Sequence, residues 1–252
     1  MKSDCIYHRS LDCVEIDITY KCNLKCHNCN RSCDIINSDD VFEINQIRKF
    51  LENSVINNKI WRRIRLLGGE PTLHPDFLEI LKLIYQYKIK HNKELLIEIT
   101  TNNISIETKE LLKIYFIKSN VVVNISYKTD FYLDEFVNIY NAPIDNSYFK
   151  EDNFEAGCVI SQNCGIGLNL YGFYPCAISA NIDRILGLNI GRKVIPSDDD
   201  TMLDLLKIFC KSCGYYKYYR DDIIKNEVSH SWKKVFEKYF DNKPVLTKIY
   251  IQ

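Results

Sequence analysis

Y-K-C-N-L-K-C-H-N-C-N-R-S-C, residues 20–33, holds three cysteines, Cys22, Cys26 and Cys29, in the spacing C-x3-C-x2-C. The spacing puts three thiolates on one short loop around a common centre. Three is the informative number, because a structural zinc site normally closes with four protein ligands, whereas a catalytic centre keeps one position open. Cysteine is also the usual ligand of a [4Fe-4S] cluster, and three thiolates leave one iron without a protein ligand. On these residues alone the alternative is a zinc site with His27 or Cys33 as fourth ligand.

Immediately before the loop, Val14-Glu15-Ile16-Asp17-Ile18 alternates apolar and polar side chains and predicts a strand that runs straight into it. Beyond it, Ser38-Asp39-Asp40 offers an N-cap, and Ile44, Ile47, Leu51 and Val55 recur at helical spacing. Arg63–Leu67 predicts a second strand, closed by Gly68-Gly69-Glu70-Pro71. Asp76 then caps a helix carrying Phe77, Ile80, Leu81, Ile84 and Tyr87, with Glu79 placed for a capping box. The alternation continues with a strand over 95–100, a helix over 105–117 and a strand over 121–126. Strands alternating with helices indicate βαβ units and a parallel sheet. Functional loops of such sheets gather at the C-terminal strand ends, so the cysteine loop, the Gly-Gly-Glu-Pro turn, Thr100-Thr101-Asn102 and Ser126 should surround one mouth.

From about Phe131 the rhythm breaks, and residues 141–200 predict a loop-rich unit with few regular elements, of a kind that benefits from a metal staple. Short helices are expected over 202–209 and 232–240. The chain has 252 residues, room for one large domain or a medium domain with an appendage. Lysine plus arginine and aspartate plus glutamate both number 33, which argues against nucleic acid or an anionic membrane as partner. No apolar run reaches the roughly 20 residues of a membrane span, and the first residues lack a signal-peptide core, so the expected location is cytoplasmic. In that compartment eleven cysteines point to metal or redox chemistry rather than disulfides. Nine of them cluster; Cys5 and Cys13 stand outside and read as small buried apolar side chains.

The three-cysteine loop after a first strand, followed by Gly68-Gly69-Glu70-Pro71 after a second, resembles the signature of the radical S-adenosylmethionine (SAM) enzymes over roughly the first 130 to 150 residues. The resemblance implies an α/β fold, a partial TIM-like β/α barrel. It implies that Cys22, Cys26 and Cys29 bind a [4Fe-4S] cluster whose fourth iron is chelated by SAM. Gly68, Gly69 and Glu70 would hold the methionine amine, with Thr101, Asn102 and Ser126 as less sharply defined SAM contacts. Asn28 departs from the pattern, since the family commonly has an aromatic residue there beside the adenine. The implied chemistry is reductive cleavage of SAM and hydrogen-atom abstraction from a small-molecule substrate, fed by an external one-electron donor such as flavodoxin or ferredoxin.

The late cysteines, Cys158-x17-Cys176 and Cys210-x2-Cys213, resemble a twitch domain, the short relative of the SPASM domain, which holds an auxiliary [4Fe-4S] cluster. The expected division is 1–150 for the barrel core and 151–252 for a small cysteine-rich C-terminal domain ending in a helix. Five cysteines compete for four places. Spacing favours Cys158, Cys176, Cys210 and Cys213, with Cys164 as rival first ligand and a zinc staple as the bland alternative. His74 reads as structural and Cys33 as a packed thiol. Tyr215, Tyr216, Tyr218 and Tyr219 read as cover for the auxiliary site.

In size and layout the chain resembles the 2-deoxy-scyllo-inosamine dehydrogenase branch of the family, which implies oxidation of a carbinol with the auxiliary cluster as electron acceptor. An epimerase using Cys164 or Cys158 as hydrogen-atom donor is the second expectation. A peptide-modifying enzyme is the third, weakened by the few residues before Val14. A metal-stapled binding protein without turnover is the non-enzymatic one. No cluster of charges in the sequence announces a phosphate, nucleotide or peptide substrate.

Overall fold

The computed structural model describes residues 7–36, 38–102, 106–107, 109–110, 113, 121–126, 137–149, 153–216 and 227–251. The four expected strands form as β1 (Cys13–Thr19), β2 (Arg63–Gly68), β3 (Leu96–Thr101) and β4 (Val121–Ile125), all parallel. Two further strands extend the sheet: β5 (Ile166–Asn169), parallel to β1, and β6 (Gly172–Tyr174), antiparallel to β5. The order is β4-β3-β2-β1-β5-β6, so the strand that feeds the cysteine loop lies inside the sheet.

The alternation of β1 decides what each face does. Val14, Ile16 and Ile18, with Ile64, Leu66, Ile97 and Ile99, are fully buried in the main core. That core includes Ile47, Phe50 and Leu51 of α1 (Ile44–Ile56) and Phe77, Ile80, Leu81 and Ile84 of α2 (Phe77–His91). Pairing places Glu15 beside Arg65 and Arg65 beside Glu98, so the other face carries a ladder of charges. This face is not the solvated side of an amphipathic sheet. Glu15, Asp17 and Glu98 are all buried.

Ser38–Asp40 does not cap α1, whose N-cap is Glu43. The segment closes the cysteine loop instead: Tyr20 N donates to Asp40 O at 3.2 Å and Phe42 N to Ile18 O at 2.7 Å, with Thr19 bridged to Val41. Asp76 does occupy the N-cap of α2, but its side chain makes no capping bond, and its own N–H donates to His74 Nδ1 at 2.9 Å. The helix expected over 105–117 lies largely outside the described residues.

Residues 141–200 depart most from expectation, because they contain α3 (Val159–Cys164), β5, β6 and α4 (Ala177–Leu186). The reason is physical. Nine of the ten residues of α4 are buried, including Ser179, Asn181, Asp183 and Arg184; Ile178, Ile182, Ile185 and Leu186 do recur at helical spacing, but the run is only ten residues long and its polar side chains read as a solvated face. Strand β5 is only four residues long and is held by its neighbour β1. Helices α5 (Leu203–Phe209) and α6 (His230–Asp241) match the expected positions. No described helix is long and apolar enough to cross a membrane.

Candidate functional site

The cysteine loop leaves β1 at Thr19 and turns through Cys29 N–H to Cys26 O (3.2 Å) and Ser32 N–H to Cys29 O (2.8 Å). Cys22, Cys26 and Cys29 line a cavity of about 250 Å³. Gly68, Gly69, Thr101, Asn102 and Ser126 line it too, and so does Cys164 from the end of α3. The strand-end loops expected around one mouth are thus brought together.

Gly68 and Gly69 serve the loop's root directly. A Cβ on Gly68, at φ +137°, would stand 2.1 Å from Thr19 O, and one on Gly69 2.3 Å from Lys21 O. Only glycine lets the end of β2 lie this close. Gly69 N donates to Thr19 O and Glu70 N to Lys21 O, both at 2.8 Å. The Glu70 carboxylate, 1% exposed, accepts from Thr72 N (3.1 Å), Thr72 Oγ1 (2.6 Å), Thr101 Oγ1 (2.7 Å) and Asn102 N (2.8 Å). Three of these donors crowd Oε1 and one reaches Oε2. Through these bonds Glu70 fixes Thr101 and Asn102, and Asn102 Nδ2 reaches on to Asn23 Oδ1 in the cysteine loop at 2.7 Å.

The donor set fits a cationic iron cluster. Burial, together with the charges of Cys29, Glu70 and Cys26, pushes the Cys22 thiol up to about 11. Asp34 rises to about 7 through burial and the charge of Cys29, and its buried Oδ1 has no hydrogen-bond partner. Crowded groups that raise one another in this way are relieved by a positive centre. Among the described residues no three His, Cys, Asp or Glu side chains converge on a single metal ion. Cluster thiolates, bound to separate irons, have no such point to meet. His27 is exposed, and Cys33 is buried with its thiol 3.5 Å from Tyr20 O. Asn28 is buried at φ 55°, a left-handed turn that asparagine tolerates.

Residues absent from the sequence reading hold the loop from behind. Arg184 of α4, 4% exposed, stacks its guanidinium 3.7 Å from the centre of the Tyr20 ring. It also donates to Arg31 O (2.8 Å) and Ile36 O (3.1 Å), so one side chain grips both ends of the loop. Asn181 Nδ2 and Tyr140 Oη both donate to Ser32 Oγ, at 2.6 and 2.7 Å. On the charged sheet face, Arg31 donates to Asp17 Oδ1 (3.0 Å) and Glu15 Oε2 (3.2 Å), while Arg65 bonds Glu15 Oε1. Glu15, Arg31 and Arg65 line the cavity. Charged residues at alternate positions of two adjacent strands were the available signal.

Cys158, Cys176, Cys210 and Cys213 are buried together elsewhere. Burial first, and then neighbouring thiolate charges, push both the Cys210 and Cys213 thiols well up: those of Cys213, Cys158 and Cys176 on Cys210, and those of Cys158 and Cys176 on Cys213. Cys158 and Cys176 are the N-caps of α3 and α4. Cys164 stands 3.9 Å from Arg65 Nη1, with its thiol raised by burial first and also by the charges of Glu15 and Cys176. Tyr216 packs against Phe154 and Cys210, whereas Tyr215 lines the main cavity, and Tyr218 and Tyr219 lie outside the described residues. His74 is buried and structural: Nε2 pairs with Phe42 O and Nδ1 with Asp76 N, both at 2.9 Å.

Comparison with known proteins adds to this geometry. A GTP 3',8-cyclase of Helicobacter pylori is 24% identical over 103 residues, 40% of this chain and 30% of that protein. A probable GTP 3',8-cyclase of Methanococcus maripaludis is 33% identical over 101 residues, 40% of this chain and 32% of that protein. The match thus spans about a third of the length of these curated relatives. The crystal structure of BtrN in complex with AdoMet and 2-DOIA shares the fold, with a TM-score of 0.51 at 15% identity over 81% of this chain and 89% of that one. The Radical SAM superfamily profile matches residues 16–149, more than half of the sequence, and the chain belongs to that superfamily.

Proposed function

We propose that this radical SAM enzyme oxidises a carbinol of a small sugar or aminocyclitol and uses an auxiliary [4Fe-4S] cluster as electron acceptor. The observation that carries the reading is the separation of two thiol groups. Cys22, Cys26 and Cys29 face a cavity, while Cys158, Cys176, Cys210 and Cys213 form a second, enclosed set. When bound, the first cluster and SAM supply the hydrogen-abstracting radical. Around them the chain's task is placement. Glu70 holds Thr101 and Asn102 against the loop, Arg184 holds the loop to α4, and Ile160, Ile178 and Leu67 supply apolar wall that limits water. The enclosed set, read as a twitch-like site, offers four buried thiols of the right kind for a cluster that takes the second electron. An external one-electron donor such as flavodoxin or ferredoxin would recharge the first site.

The test is anaerobic reconstitution with iron and sulfide quantification. Wild type should hold about eight irons, and the Cys22→Ala/Cys26→Ala/Cys29→Ala variant about four. Four falling to none removes the auxiliary cluster from the reading. Stoichiometric zinc without sulfide removes both.

Cys164 favours a second reading, since it lines the same cavity as Cys22, Cys26 and Cys29. An epimerase would return a hydrogen atom from this thiol to the opposite face of the substrate radical. Solvent deuterium retained at one product carbon, lost in Cys164→Ala, would replace dehydrogenation with that reaction. The GTP 3',8-cyclase activity of the curated relatives is a third, resting on a match to about a third of their length.

A further inference from the structure

Cys158-Val159-Ile160-Ser161 and Cys176-Ala177-Ile178-Ser179 repeat one pattern, C-x-I-S, and each opens a helix at the enclosed thiol set, with cysteine as N-cap and serine at N3. In both, the serine N–H donates to the cysteine sulfur, at 3.4 Å in the second. The two hydroxyls differ in what they serve. Ser161 Oγ turns to the main chain, donating to Cys158 O at 2.7 Å and accepting from Cys158 N at 3.3 Å. Ser179 Oγ turns to sulfur and lies 3.2 Å from Cys176 Sγ. Both serines are buried.

Between a free thiol and a hydroxyl, either group can donate. A sulfur that ligates iron has given up its proton, so there the hydroxyl is the donor. An electron added to an iron–sulfur centre puts negative charge on its sulfurs, and a donor aimed at sulfur strengthens with that charge. Burial works the other way, because an apolar surround penalises the added charge. Here burial is heavy: all four thiols are buried, and Cys210 packs with Phe154, Leu206 and Tyr216. Donors on sulfur offset it. The Tyr215 and Tyr216 N–H groups serve Cys213, and those of Ile178 and Ser179 serve Cys176. These are main-chain donors fixed by the fold, whereas the Ser179 hydroxyl is a side chain that substitution can remove.

We infer that Ser179, acting through the sulfur of Cys176, makes the enclosed site a better electron acceptor. The inference rests on the auxiliary-cluster reading of that site. One electron enters, from the substrate radical in the proposed reaction or from dithionite in the test, and the Ser179 proton stays on Oγ. The test is a redox titration followed by electron paramagnetic resonance, in the full-length Cys22→Ala/Cys26→Ala/Cys29→Ala variant, whose remaining irons report this site alone. Adding Ser179→Ala should shift the reduction equilibrium towards the oxidised form on the order of tenfold, about 59 mV for a one-electron couple. Adding Ser161→Ala instead should lower the melting temperature and leave the equilibrium where it was, because that hydroxyl serves the main chain. A Ser179→Ala protein that keeps its iron with an unshifted potential overturns the inference. So does an equal shift in Ser161→Ala, and so does loss of the cluster from Ser179→Ala, which would make the hydroxyl a matter of cluster retention. Failure of the auxiliary-cluster reading appears separately, as absent iron and sulfide in the triple variant with Ser179 intact.

Discussion

Replacing Glu70 by glutamine asks whether this carboxylate meets SAM or builds the wall that does. Oε1 accepts three donors, from Thr72 N, Thr72 Oγ1 and Thr101 Oγ1, and Oε2 accepts Asn102 N. Glutamine can keep its oxygen at the crowded Oε1 position, but its amide nitrogen then faces the Asn102 N–H donor to donor. One charge-assisted bond is lost and a buried N–H is left unpaired, for a cost of about 2–3 kcal/mol. In a chain of this size that corresponds to a fall in melting temperature of roughly 5–10 °C. Because Asn102 also bonds Asn23 in the cysteine loop, SAM affinity should fall together with stability. Thermal unfolding of the reconstituted protein and equilibrium dialysis of SAM measure the two effects. If Glu70→Gln melts with wild type while SAM affinity alone collapses, the carboxylate touches the ligand directly and the positioning argument is wrong.

Three further outcomes follow from the same geometry. Arg184→Met removes the grip on Tyr20, Arg31 O and Ile36 O, so the reconstituted cluster should lose its visible absorbance on the order of tenfold faster in chelator; Arg184→Lys should not rescue it, because a point charge cannot both stack and fork. Gly68→Ala drives a Cβ into the Thr19 carbonyl at a positive φ and should cost at least about 2 kcal/mol, read as a lowered melting temperature even without iron. His74 has its pKa lowered, by burial first, so it contributes stability that is full above its unfolded value near 6.5 and is lost as pH falls towards the folded value. The stability advantage of wild type over His74→Gln should therefore be constant above about pH 7 and shrink below 6.5, as followed by urea midpoints; an advantage that grows on acidification refutes the assignment.

How much of the site the sequence disclosed depended on whether its residues lie close together in the chain. Cys22, Cys26 and Cys29 sit on one loop and declare their chemistry by spacing, and Gly68–Pro71 ends the neighbouring strand. The alternation of β1 and β2 gave the parallel core. Yet the same alternation left open whether Glu15, Asp17, Arg63 and Arg65 face water, and it is the cover provided by the cysteine loop, with Arg31 reaching back over Asp17, that buries the carboxylates and leaves the two strand arginines half-buried. Strand β5 was hidden because four residues are too few for a period, whereas the short apolar period of α4, Ile178, Ile182, Ile185 and Leu186, was present in the sequence and was overlooked beside its buried polar residues.

The sequence alone therefore determined the three-thiolate loop, its place after a first strand and its pairing with a glycine turn, since these are local properties of spacing and pattern. Only the tertiary structure decided which late thiols stand together, that Cys164 belongs to the cavity, and that Arg184 closes the loop from 148 residues away. Those outcomes depend on how α3, β5 and α4 fold back beside β1. Contacts between segments so distant in sequence leave no mark on the spacing of either one.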